Sequence, residues 1–199
     1  MKIQRFTLGE YQSNCYIISF DKEAIIIDPG YENEVVIPYL LKENLTPKII
    51  FLTHGHFDHI GGVNQLKNHF KKLEVIIHKY DLIWLDDNDY NLTKREVIVD
   101  RVITNERNLS FNDHSFEIIL TPGHSAGGMA LKIGKHLFSG DTLFKMSIGR
   151  YDLPFANQVD LFQSIKKLYL LDDETIVYPG HGDKTTIGFE KRHNPFIKG

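Results

Sequence analysis

The sequence predicts an α/β fold in layers, with sheets packed together and helices outside. Three observations carry this. Strand-length apolar runs alternate with helix-length amphipathic segments through the first part of the chain. Strand-like runs then follow one another without a helix between them, and a helix and a strand alternate again from residue 157 onward. No repeat, low-complexity tract or Pro/Gly/Ser-rich linker interrupts the 199 residues, so one domain over 1–199 is expected.

Taken in order, "NCYIISF" (14–20) and "AIIID" (24–28) are β-branched runs separated by a charged "DKE", the pattern of a hairpin, and the second ends in the turn signal "DPG". "NEVVIPYLLKENL" (33–45) has helical spacing, with Pro38 near its start, where proline is best tolerated. "KIIFLT" (48–53) reads as a buried strand, "HIGGVNQLKNHF" (59–70) as a helix entered through two glycines, and "EVIIH" (74–78) as a strand. "REVIVDRVI" (95–103), "SFEIILTPG" (115–123), "MALKIG" (129–134) and "HLFSGD" (136–141) are all strand-like. "NQVDLFQSIKKLYLL" (157–171) is the clearest helix: Asn157 can cap it, and Val159, Phe162, Ile165, Leu168 and Tyr169 share a face. "ETIVYPGHG" (174–182) gives a last strand and turn.

With 42% hydrophobic and 25% charged residues, the chain has the balance of an ordinary globular protein. A net charge of −3 and a pI near 6.4 give no general attraction to nucleic acid or anionic membrane, and neither is expected as a partner. Cys15 is the one cysteine, so no intrachain disulfide can form, which fits a reducing compartment. "MKIQRFTLGEYQSN" lacks the apolar core of a secretory signal, and the cytoplasm is the expected location. No feature sets an oligomeric state.

Four of the strand-like runs end on residues able to bind a metal. "IIFLT" runs into His54-x-His56-x-Asp58-His59, "EIILTPG" into His124, "HLFSG" into Asp141 and "TIVYPG" into His181. In three of them a glycine directly precedes the residue, which lets the backbone turn sharply while the side chain points into a cleft. Imidazole and carboxylate are ligands that zinc, iron and manganese accept, with zinc the first expectation. Residues two apart in an extended segment face the same way, so His54 and His56 can hold one ion, and the following turn sends Asp58 and His59 toward a second. Seven ligands exceed the needs of one tetrahedral ion, and two divalent ions sharing Asp141 account for them. His69, His78, His114, His136 and His193 lie outside this pattern and are expected to play other parts.

"THGHFDHIGG", "TPGHSAGG", "SGDTLF" and "YPGHG" together resemble the metallo-β-lactamase-fold hydrolases. "GDTLF…SIGR" and "GHGDKTTIGFEKRHNPF" most resemble the compact branch related to glyoxalase II, the hydroxyacylglutathione hydrolases. The resemblance implies a four-layered αββα sandwich with the metals at one sheet edge. It puts His54, His56 and His124 on one ion and Asp58, His59 and His181 on the other, with Asp141 bridging. It also implies a thioesterase acting on small glutathione-type thioesters such as S-lactoylglutathione through a metal-bridging hydroxide, with Asp58 and Asp141 as the catalytic carboxylates. Arg150 matches a basic position that contacts glutathione in full-length glyoxalase II, whose C-terminal helical region also helps to hold it; Tyr151 is the neighbouring substrate-side candidate. "GRYDLPFAN" is bulkier than the usual Gly-Arg-Thr-Asp followed by glycines, a departure that falls on the substrate pocket and not on the ligands. Asp28, at the end of "AIIIDPG", is expected to hold a ligand or its loop from behind.

Persulfide dioxygenases share this resemblance and are the main alternative: they use one iron at the positions matching His54, His124 and Asp141. The "YPGHG…TTIG…NPF" tail favours the hydrolase. A nuclease of the same superfamily would want a basic arm, a β-lactamase lacks the bridging aspartate and is secreted, and a non-enzymatic metal module would favour a closed, cysteine-rich site. Cys15 reads as a small hydrophobe within its strand, and Trp84, Phe144 and Phe155 as core or pocket wall.

Overall fold

The computed structural model describes every residue except 32, 33, 87, 88 and 94. The chain divides into two compact units, residues 1–103 and 104–199. Each builds a six-stranded sheet and carries its own helices.

In the first unit the sheet runs in chain order, β1 (Lys2–Leu8), β2 (Ser13–Phe20), β3 (Glu23–Ile27), β4 (Thr46–Phe51), β5 (Glu74–His78) and β6 (Arg101–Ile103). The first three strands are antiparallel, with β2 and β3 forming the expected hairpin, and β3 to β6 are parallel. Parallel neighbours need crossovers, and α-helices supply the first two. α1 (Val36–Lys42) joins β3 to β4, and α2 (Phe57–Ile60) with α3 (Val63–His69) joins β4 to β5. Every residue of β2 is buried. Ile17, Ile26, Leu40, Ile50, Leu66 and Val75 belong to one core beneath these helices.

Two expectations change here. The helix expected over 59–70 begins at Phe57 and is broken at Gly61–Gly62. Backbone bonds from Gly62 to the Gly30 carbonyl (2.7 Å) and from Gly30 to the His59 carbonyl (3.2 Å) stitch this corner to the "DPG" turn. A side chain at Gly61 would lie 2.7 Å from the Tyr31 ring. The strand expected over 95–103 is confined to Arg101–Ile103, because the preceding segment is organised around Asn91, whose amide donates to the Leu85 and Arg95 carbonyls.

The second unit orders its sheet as β14, β13, β10, β9, β8, β7. These are β7 (Arg107–Phe111), β8 (His114–Leu120), β9 (Met129–Ile133), β10 (His136–Gly140), β13 (Ile176–Pro179) and β14 (Thr185–Thr186). Short β11 (Leu143–Phe144) and β12 (Ser147–Ile148) pair as a separate hairpin. Only β10 and β13 pair in parallel, with α4 (Gln158–Leu168) in the crossover. The Asn157 carboxamide caps α4 as expected, accepting from the Asp160 amide at 3.1 Å. The buried face of α4 is Leu161, Ser164, Ile165 and Leu168, while Val159 is 63% exposed and does not join it. α5 (Ile187–His193) follows β14 and is capped by Thr186. Among the described residues no helix is long and apolar enough to cross a membrane.

Candidate metal centre

In the first unit the ligand-competent residues gather at the carboxyl ends of β3 and β4. His54, His56, Asp58 and His59 are all buried, His59 fully. His56 is extended and opens α2, whose single turn carries Asp58 and His59. The His54 ring centroid lies 4.7 Å from that of His56 and 4.2 Å from that of His59, and His59 Nε2 is 3.4 Å from Asp58 Oδ2.

Asp28 sits behind them. Its Oδ1 accepts from the Thr53 amide (2.8 Å), and its Oδ2 accepts from the Thr53 hydroxyl (2.6 Å) and faces His59 Nδ1 at 3.0 Å. The Thr53 hydroxyl has one proton, which it gives to Asp28, so at 3.0 Å from His54 Nδ1 it accepts. Both imidazoles therefore carry their proton on Nδ1 and present a lone pair at Nε2. Gly55, between the first two histidines, donates its amide to Asp81 Oδ2 (3.0 Å), and a side chain there would meet Trp84 Cβ at 2.6 Å. The 3-10 helix Lys79–Trp84 thus sets the course of His54–His56, and the Trp84 indole packs edge-on against His56 at 4.5 Å.

In the second unit three strand ends converge. β8 leads through Gly123 to His124, β10 through Gly140 to Asp141 and β13 through Gly180 to His181. The parallel register sets Gly140 beside Pro179, and the Gly180 amide donates to the Gly140 carbonyl (2.8 Å), so Asp141 and His181 emerge side by side. His124 Nε2 and His181 Nε2 each lie 3.5 Å from the same carboxylate oxygen, Asp141 Oδ2. His124 Nδ1 donates to the Arg150 carbonyl at 2.8 Å, which again leaves the Nε2 lone pair facing the carboxylate. Gly149 is obligatory, because a Cβ there would fall 1.8 Å from the Asp141 carbonyl oxygen.

This donor set fits divalent metal. Bonds of about 2.0–2.1 Å at tetrahedral angles put neighbouring ligand atoms about 3.3–3.4 Å apart. The separations in both units, 3.4 Å and twice 3.5 Å, are long for hydrogen bonds and close to that edge. Three imidazoles locked with Nε2 as the lone-pair atom are the second sign, since metal-bound histidine is held in this way from its far nitrogen. Asp28 Oδ1 and Oδ2 are engaged by Thr53 and His59, and one of its oxygens also lies within 4.8 Å of ligand atoms of His54 and His59.

The substrate-side candidates lie at the surface. The Arg150 guanidinium forms a two-pronged ion pair with Asp152 (2.9 and 3.1 Å), and both side chains are about two-thirds exposed. That bond raises the arginine's pKa further and lowers that of Asp152. Tyr151 is 39% exposed, its ring perpendicular to Phe162 at 6.3 Å. The contributions of Thr53, Asp81 and the Arg150 carbonyl are absent from the sequence reading. A hydroxyl at a buried position directly before His54 was a signal for the first; a backbone carbonyl leaves none. Cys15 is fully buried, and burial pushes its thiol pKa well up, as suits a core residue. His136 Nδ1 is 3.0 Å from the Tyr178 hydroxyl, away from the three strand ends.

Comparison with known proteins bears on the whole chain. The metallo-beta-lactamase superfamily profile matches residues 8–181. Hydroxyacylglutathione hydrolase GloC of Haemophilus influenzae is 38% identical over 99% of this chain and 98% of its own length. Among solved structures, the BLEG-1 B3 metallo-beta-lactamase matches with a TM-score of 0.91 at 41% identity, covering 100% of both chains. TTHA1623 in a di-iron-bound form matches with a TM-score of 0.87 at 38% identity, covering 98% of this chain and 100% of that one. The α/β class expected from the sequence is thus the class observed, and the histidine and aspartate motifs sit within the matched span. The chain belongs to the metallo-β-lactamase superfamily.

Proposed function

We propose that the chain is a cytoplasmic metal-dependent thioesterase with a dinuclear centre, acting on small glutathione-type thioesters such as S-lactoylglutathione. In this reading His54, His56 and His124 hold one ion, Asp58, His59 and His181 the other, and Asp141 is shared. The observation that carries it is Asp141 Oδ2, which His124 Nε2 and His181 Nε2 approach at the same 3.5 Å. One carboxylate oxygen common to two imidazoles is the arrangement a shared ligand needs. The di-iron-bound TTHA1623 supports two ions on this fold and makes iron as good a candidate as zinc, with manganese also suited to the donors. GloC supports the thioester class.

Two divalent ions in such a site supply a water acidified toward neutral pH and a Lewis acid for the substrate carbonyl. The chain's own groups do the rest. Asp28 and Thr53 keep the protons of His54 and His59 on Nδ1, and the Arg150 carbonyl does so for His124. Asp58, anchored through its carbonyl by the Ser13 hydroxyl at 2.6 Å, orients the attacking water. A thiol of ordinary pKa near 8.5 leaves as thiolate, so no strong general acid is required.

A second reading, hydrolysis of β-lactams, is favoured by the 41% identity to BLEG-1. One set of measurements separates the readings. Protein purified without added metal is analysed for metal content, then assayed on S-lactoylglutathione, a chromogenic cephalosporin and, with oxygen uptake, glutathione persulfide. Two ions per chain with S-lactoylglutathione turnover, lost in folded Asp141→Ala and His54→Ala, is the expected result. Thioester turnover retained in either variant would sink the proposal, as would one iron with oxygen uptake or activity on the cephalosporin alone.

A further inference from the structure

A buried carboxylate away from the ligand set braces the second unit. Glu190, in α5, is fully buried. Such a group is costly unless its lone pairs are occupied, and here they are. Oε1 accepts from the Thr185 hydroxyl (2.6 Å), and Oε2 accepts from the Asn194 carboxamide (2.9 Å) and the Met146 amide (3.0 Å). Met146 lies at the tip of the β11–β12 hairpin in the left-handed region, φ 58°, which a methionine adopts only when held there. The Asn194 carboxamide also donates to the neighbouring Ser147 carbonyl at 3.1 Å. Two successive residues of the hairpin, Met146 and Ser147, are therefore fixed from α5 and its capping residue Asn194.

Both feet of this hairpin stand on candidate ligands. It leaves from Asp141–Thr142 and returns through Gly149, whose amide donates to the Thr142 carbonyl (3.3 Å) and whose Cα is pressed against the Asp141 backbone. The next carbonyl, that of Arg150, receives His124 Nδ1. We infer that Glu190 is a positioning residue of the centre, acting through Met146 and the hairpin to set the Arg150 carbonyl against His124 and so fix the ring that faces Asp141. The role calls for an acceptor at the Oε2 position, because the Met146 amide and the Asn194 NH2 can only donate to it, whereas the Thr185 hydroxyl can donate or accept; leucine, close to glutamate in size, removes that acceptor. The link to metal rests on the dinuclear reading, whereas the link to His124 does not.

The test uses protein with 15N-labelled histidine, whose long-range 1H–15N spectrum reports which His124 nitrogen carries the proton, together with cobalt(II) titration followed by absorption. Glu190→Leu is compared with Thr185→Val, which removes the Oε1 arm on β14 and leaves the hairpin arm intact. Asn194→Ala, which frees the Ser147 carbonyl, is read in the same way should the leucine variant fail to fold. Expected in Glu190→Leu are displaced His124 signals, with protonation shared between Nδ1 and Nε2, and cobalt affinity weakened about tenfold or more. Thr185→Val should lower thermal stability while leaving His124 and cobalt at wild-type values. Wild-type His124 signals in folded Glu190→Leu or Asn194→Ala would overturn the inference, as would equal displacement in Thr185→Val, the mark of a structural role alone. His124 displacement in the Glu190 variant, together with wild-type protein that takes up no cobalt, would overturn the dinuclear reading and leave Glu190's role standing.

Discussion

Asp28 combines a backbone and a side-chain demand that few residues meet together. Its φ of 47° is in the left-handed region, which aspartate and asparagine tolerate better than other non-glycine residues, and its carboxylate gathers the Thr53 amide, the Thr53 hydroxyl and His59 Nδ1. An asparagine in its place would keep the backbone and lose one acceptor oxygen, so Asp28→Asn isolates the side-chain part. The variant should fold, and its metal affinity, measured by competition with a chromophoric chelator, should fall about 10- to 100-fold, as losing the partner behind a ligating histidine typically does. Unchanged affinity would show that Asp28 serves the turn and not the histidines. Asp28→Ala should lose the same affinity and add about 1–2 kcal/mol of backbone strain, visible as a lower thermal midpoint.

Between elements, α4 is tied to β8 through a small charged cluster. Lys167 Nζ lies 2.8 Å from Glu106 Oε1 and donates to the Leu120 carbonyl at 2.7 Å, while the Leu120 amide donates to the same Glu106 oxygen at 3.0 Å. The hydrogen bond from Lys167 is the main cause lowering the Glu106 pKa below its ordinary 4.5. A carboxylate depressed in the folded state stabilises fully above its unfolded pKa, and that stabilisation is lost as pH falls from about 4.5 through the folded value. Both side chains are roughly half exposed, so screening holds the effect to about 1 kcal/mol or less. Urea midpoints at about pH 5.5 and about pH 3 should therefore drop more in the wild type than in Glu106→Gln; equal drops would remove the cluster from the acid response. Elements of this kind show what the chain discloses in advance. The β2–β3 hairpin, β4, β5 and capped α4 were legible because their apolar period or cap is local. The break at Gly61–Gly62 was not, since it answers to Tyr31 and Gly30, distant in sequence. Likewise the strand-end histidines and Asp141 stood out by residue type, while the Arg150 carbonyl and the Glu190 brace depend on backbone atoms and tertiary contacts that no residue type encodes.

For the molecule as a whole, the proposed ions would be ligands of the native state alone, and their removal should register in global stability. Imidazoles and carboxylates brought together from strand ends far apart in sequence form no comparable site in an unfolded chain. Binding that favours the native state stabilises it by RT ln(1 + [L]/Kd), about 2.7 kcal/mol when free metal is a hundredfold above Kd. For a chain of this size each kcal/mol moves the thermal midpoint by about 2–4 °C, so chelation should lower it by about 5–10 °C. Far-ultraviolet circular dichroism should persist, because both sheets have apolar cores of their own that owe nothing to the metal. Restoring zinc, iron or manganese in separate samples should recover the midpoint, and the ion that also recovers thioester turnover identifies the working metal. A midpoint indifferent to chelation, in protein shown by analysis to have lost its metal, would mean that the buried histidines and carboxylates are held by the fold for some other end.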